Sequence, residues 1–248
     1  MQRYFIQVAY NGANYSGFQA QKNANSVQSE VEKALTILFK TKFELTGSSR
    51  TDAGVHALSN YFHFDSYNEL GQIDKSIYNL NAILPPDIVI KSVLPVSAKA
   101  HCRFSALSRE YEYYIYQSKD PFLRDRAFYY PYQIDIGKLN EAASLIKEYT
   151  NFASFSKRNT QVKTFTCAIM ESQWLINNNV ISYNVKANRF LRGMVRGLVG
   201  TMLRVGTNRI TIKDFKNIIE AMDCSQADFS VPPQGLFLIN IHFPVGTF

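Results

Sequence analysis

The stretch ELTGSSRTDAGVHALSNYFHF runs from Glu44 to Phe64 and joins two kinds of sequence. Its flanks, at about 43–47 and 59–65, are rich in aromatic and β-branched residues and predict strands. Between them Arg50, Thr51, Asp52, Ala53, Gly54 and His56 crowd into seven positions. Asp52 in such a connection can act as a nucleophile, as a general base or as the cap of a turn. Arg50 beside it favours the ionised carboxylate. A serine hydrolase needs a GxSxG elbow, which the chain lacks. An aspartic protease needs two D-T/S-G loops, whereas T-D-A-G occurs once here. A glycosidase needs a second acid, and none is nominated. On these residues alone Asp52 is a candidate, and capping stays open.

Outward from this segment, RYFIQVAY (3–10) predicts a strand closed by Asn11-Gly12, and 26–39 predicts a helix with Ser26 at its N-cap. A helix at 74–83 and a strand at 87–96 follow. The second half offers a tyrosine-rich strand at 108–117 and a helix at 135–149. Two strands then fall within 165–188, joined through Asn177–Asn179, before helices at 189–205 and 211–222 and a strand at 235–243. The pattern is α+β, with two related halves of mixed, mainly antiparallel sheet flanked by helices. The expected division is 1–104 and 105–248, with the active-site cleft between the halves.

The chain has 248 residues, 46% of them hydrophobic, so a large core is available and disorder is not expected. Its formal charge of +7 favours polyanionic partners, nucleic acid before membrane, although many basic proteins bind neither. Cys102, Cys167 and Cys224 are odd in number and far apart, which suits a reducing, cytoplasmic setting and supplies no CxxC metal pair. The four histidines are also scattered along the chain, which argues against a structural zinc site. Neither a signal peptide nor a membrane-spanning run is expected.

Two further segments carry chemistry. In RFLRGMVRGLVGTMLRV (189–205) the apolar residues form one helical stripe, and Arg189, Arg192 and Arg196 fall within a narrow arc beside it. This can be a solvated basic face. Gly193, Gly197 and Gly200 argue otherwise, because each costs roughly 1 kcal/mol against alanine inside a helix. Their presence predicts something approaching the backbone closely on the arginine side. In SREYEYYIYQ (108–117), Tyr111 and Tyr113 share one face of a strand and Tyr114 and Tyr116 the other. Most such rings fill a core, and one exposed in a cleft can stack on a nucleobase. YNGANYSGFQAQ (10–21) lacks the spacing of a phosphate loop and reads as an ordinary turn.

GSSRTDAGVHA (47–57) closely resembles the catalytic motif of the tRNA pseudouridine synthase A family. YNGANYSGFQAQ, SVQSEVEKAL, RFSALSREYEYYIY, NRFLRGMVRGLVG and ADFSVPPQGLFLINIHF resemble that family's other blocks, in its order, from residue 4 to residue 243. The resemblance implies an isomerase that converts uridine to pseudouridine at positions 38–40 of the tRNA anticodon arm, working as a homodimer without cofactor or metal. It assigns Asp52 as the catalytic carboxylate and Arg50 as its companion in substrate handling. It puts Tyr111 against the target base and Arg196 with the aspartate, while Arg189 and Arg192 join the substrate-binding set as neighbours on the arginine helix. Asn11, Ser48, Ser49 and Asn60 depart from the family pattern and bear on target choice. The alternative is a catalytically silent RNA-binding protein of the same fold.

Overall fold

In the computed structural model, which describes residues 1–67, 70–158 and 162–248, strand β1 (Gln2–Tyr10) lies between two antiparallel neighbours. Tyr4, Phe5, Ile6, Val8 and Tyr10 are buried, so both faces of β1 are covered. On one side runs β3 (His56–Ser66) and on the other β4 (Ile88–Val96). A two-residue strand, β2 (Thr46–Gly47), adds to β3. Helix α1 (Val27–Phe39) begins where expected. The Ser26 side chain accepts from Ser29 N–H, and Ser29 answers in a capping box, which satisfies two N–H groups that the first turn would otherwise leave unpaired. Helix α2 is Ile73–Ile83.

The chain forms two compact units, Met1–Leu107 with Phe237–Phe248, and Ser108–Leu236. Strand β9 (Leu236–His242) pairs in parallel with the start of β3, His56 opposite Phe237, so the first unit's sheet has the order β4-β1-β3-β9.

In the second unit β8 (Val180–Ala187) is central, antiparallel to β5 (Ser108–Tyr116) and to β7 (Ile169–Asn177), with β6 (Phe128–Tyr129) parallel to β5. Helix α3 (Ile136–Leu145) is tied to β7 by Asn140, whose amide donates to Trp174 O and accepts from Trp174 N–H. Helices α4 (Met194–Gly206) and α5 (Ile212–Glu220) follow. Mixed, mainly antiparallel strands with five α-helices among the described residues make the fold α+β, as the sequence predicts.

Three expectations need correction. Helix α3 is shorter than 135–149, ending at Leu145 and tightening into a 3-10 turn. Helix α4 begins at Met194, because Gly193 sits at φ 74, a left-handed conformation that ends any right-handed helix entering from 189. Arg189 and Arg192 therefore lie outside the helix and share no helical arc with Arg196. The close approach at the helix glycines is the protein's own. A Cβ at Gly197 would sit 2.7 Å from the Phe229 ring, and one at Gly200 would sit 2.2 Å from Asp228 O. Among the described residues no helix is long and apolar enough to cross a membrane.

Candidate active site

The segment between β2 and β3 presents Asp52 half-buried, with exposed Arg50 before it and buried Thr51 between them. Backbone geometry shapes the turn first. Val55 N–H donates to Asp52 O at 3.2 Å, and Gly54 takes φ 77, which a side chain would strain. Buried polar groups then fix the strand leading into it. Ser48 N–H donates to Tyr61 O (2.8 Å) and its hydroxyl to Cys102 O (2.6 Å). The Asn60 amide, fully buried in β3, accepts from Ser49 N–H (3.3 Å) and donates to Ser49 O (2.8 Å) and to Tyr10 Oη (3.1 Å). Tyr10 Oη in turn lies 2.8 Å from Thr51 Oγ1. Each partner satisfies a group whose burial alone costs 1–3 kcal/mol, so the network resists rearrangement.

The segment after β1 closes on the same loop. Phe18 N–H donates to Thr51 O at 3.2 Å, and Gly12 N–H donates to His56 Nδ1 at 3.1 Å. His56 is buried, and its ring stacks on Phe237 at 4.5 Å. Backbone meets backbone so closely that a Cβ at Gly12 would lie 2.0 Å from Val55 O, and one at Gly17 3.0 Å from Thr51 O. YNGANYSGFQAQ is therefore a clamp on the Asp52 loop and not an ordinary turn. Its two glycines were the available signal, since such approaches admit no side chain.

The departures from the family pattern fall on this support. Ser48, Ser49 and Asn60 are buried behind the loop and hold its backbone. Asn11 is exposed and caps a 3-10 turn by accepting from Ala13 N–H. Sequence reasoning missed Tyr10, Gly12 and Asn60 as positioning residues. The asparagine inside the apolar run SNYFHF was the visible sign.

In the second unit Tyr111 is buried in β5, opposite Val185 of β8, and its ring meets Phe190 edge-on at 5.1 Å. Tyr113 is wholly core: its hydroxyl donates to Pro232 O at 2.7 Å, and burial raises its pKa. Tyr114 hydrogen-bonds Glu112. Arg196 braces the following segment, with Nε donating to Val231 O (2.8 Å) and Nη2 to Phe229 O (3.4 Å). Arg192 is exposed, and its carbonyl accepts from Lys157 N–H. Arg189 is half-buried and close enough to lower the Cys167 thiol, which burial nonetheless pushes up to about 11.

The histidines are less scattered than the sequence suggests. His63 and His101 rings stand 4.5 Å apart, and with Cys102 their donor atoms lie within 4.8 Å of one another. Burial, then His101 and Arg3, push His63 down to about 4, so it is neutral at pH 7. The donors are engaged within the fold. His101 Nδ1 accepts N–H from Arg103 (3.1 Å) and Phe104 (3.4 Å), and the Cys102 thiol donates to Thr46 O (3.1 Å). With the Arg3 guanidinium also near, these groups serve packing and turn formation better than they would serve a cation.

Comparison with known proteins identifies the family. The family described as tRNA pseudouridine synthase matches residues 6–105 and 149–244. The chain is 43% identical to a tRNA pseudouridine synthase A of Parabacteroides distasonis, covering 98% of this chain and 97% of that one. It is 43% identical to that of Porphyromonas gingivalis over the full length of both. A Staphylococcus aureus relative of the same name is 33% identical over 97% of this chain and 90% of its own. Likeness of this extent places the chain in the tRNA pseudouridine synthase family of isomerases.

Proposed function

We propose that the protein isomerises uridine to pseudouridine in tRNA, at positions 38–40 of the anticodon arm, with Asp52 as the catalytic carboxylate. The observation that carries the reading is the Asp52 loop, clamped by Gly12 and Phe18 on one side and by Asn60 through Ser49 on the other, with its carboxylate half-buried. Rigid placement matters because enzymes gain most from groups fixed where charge develops.

In the reaction the C1′–N1 bond breaks and a C1′–C5 bond forms. C5 loses a proton and N1 gains one, so atoms and electrons balance without a co-reactant. A carboxylate facing C1′ supports the electron-poor sugar while the base turns. The target must leave its stack to reach such a group. Arg50, Tyr111 and Arg196 are assigned to substrate, with Arg189 and Arg192 as further cationic contacts. No electron transfer occurs, so the reading needs neither cofactor nor metal. It includes a homodimer and a cytoplasmic location, supported by the full-length likeness and by three cysteines present as thiols.

The test is incubation with an unmodified tRNA transcript, followed by chemical mapping of pseudouridine. Wild-type protein should modify uridines 38–40, and Asp52→Ala should modify none while still binding the transcript. Full activity in Asp52→Ala would sink the mechanism.

A further inference from the structure

We infer that a cavity of about 320 Å³ in the first unit seats a second, unpaired nucleotide of the RNA, distinct from the target uridine. The inference rests on the reading of the substrate as tRNA. Arg50, His101, Arg103, Phe104, Gln19 and Thr46 supply its functional walls. A volume at the small end of ligand-sized pockets suits one nucleotide and excludes a helical segment.

The walls have the chemistry of single-strand recognition. Phe104 is 75% exposed, so its ring is open to a stacking partner. The Arg103 guanidinium lies 5.6 Å over that ring, and the His101 ring stands 4.4 Å from it. Three planar groups thus cluster at the cavity wall, side chains of the kind on which splayed bases stack. The surface is fixed before any ligand arrives. His101 Nδ1 accepts from Arg103 and Phe104 N–H, His101 N–H donates to Ser105 Oγ, and Ser105 N–H returns to His101 O.

Charge and polarity complete the match. Arg50 and Arg103 bring two cations, and among the described residues no acidic side chain lines the cavity. The Gln28 amide is engaged by Leu45 O, Glu32 and Ala20 N–H. Gln19, which is exposed, is therefore the amide placed to meet a base edge. Asp52 does not line the cavity, so the target ribose sits elsewhere. Arg50 and Asp52 are two residues apart, at most about 7 Å of chain. The seated nucleotide is therefore a close neighbour of the target on the strand. Its base stacks on Phe104, and its phosphate lies between Arg50 and Arg103.

The experiment is a binding titration of an unmodified tRNA transcript, and of transcripts each carrying one abasic residue among the unpaired anticodon-loop positions, against wild type, Phe104→Ala and Phe104→Trp. Phe104→Ala should weaken binding of the intact transcript about 5- to 150-fold. Phe104→Trp should bind within about threefold of wild type, and the exposed position should leave melting unchanged in both variants. One abasic transcript should lose the same factor against wild type and lose nothing further against Phe104→Ala. The proposal is overturned if Phe104→Ala binds like wild type, or if every abasic loss adds to the loss of the ring. Pseudouridine formation by the wild type is scored separately: if it is absent while the Phe104 coupling persists, only the catalytic reading falls.

Discussion

Replacing Gly12 with alanine tests whether the Asp52 loop acts through its placement. The added methyl would sit 2.0 Å from Val55 O and 2.6 Å from Val55 C, whereas ordinary contact begins near 3.4 Å. Neither atom belongs to a flexible side chain, so backbone must part by about 1.4 Å, the difference of those two distances. Gly12 takes no left-handed φ, so the effect comes from collision and not from torsional strain. Val55 N–H closes the turn on Asp52 O, and displacement of Val55 therefore reaches the carboxylate. A misplacement of ~1 Å costs about 100-fold in rate, so the single-turnover rate of pseudouridine formation should fall at least that far at saturating transcript. Overpacking should also lower stability by roughly 1–3 kcal/mol, read by urea denaturation. A folded Gly12→Ala protein turning over within about threefold of wild type would refute the argument.

Gly200→Ala should destabilise by roughly 1–3 kcal/mol, because its Cβ would meet Asp228 O at 2.2 Å; an unchanged urea midpoint would contradict the packing. Arg196→Ala should reduce turnover by more than tenfold, on the order of 1.4 kcal/mol in the barrier, and turnover equal to wild type would remove Arg196 from the substrate set. His63 gives a pH prediction. Its folded pKa, about 4, lies below the unfolded 6.5, so the unfolded chain binds the proton first. That contribution is fully present above pH 6.5 and is lost as pH falls toward 4. Between pH 7 and pH 5 wild type should lose about 2 kcal/mol more stability than His63→Phe. Parallel denaturation curves for the two proteins over that range would show that His63 titrates normally in the fold.

Element types were legible wherever one local signal dominated. Ser26 before an apolar 3.6-residue period predicted α1 with its cap, and alternation in RYFIQVAY predicted β1. The error at 189–193 has a physical source: apolar periodicity continues through Phe190 and Leu191, while the interruption lies in the torsion of a single glycine against Lys157. The candidate site stands out as a motif, because Arg50 and Asp52 lie two positions apart. Its support does not, because Tyr10 and Gly12 reach the segment across 41 and 44 positions, and Asn60 braces it from the next strand. Long-range contacts leave only oblique traces, such as an asparagine in an apolar strand or a pair of glycines.

The pairing of His56 with Phe237 has a consequence for synthesis on the ribosome. Residues Phe237–Phe248 complete the first unit, where Phe5 packs its ring against Phe243 and Phe248. The second unit, Ser108–Leu236, puts 129 positions (236 − 108 + 1) between Leu107 and Phe237, which take about 6 to 26 s to translate. Through that interval the nascent first unit lacks β9 and the ring that stacks on His56. His56, at the end of the Asp52 loop, therefore lacks its stacked ring until translation has passed Phe237.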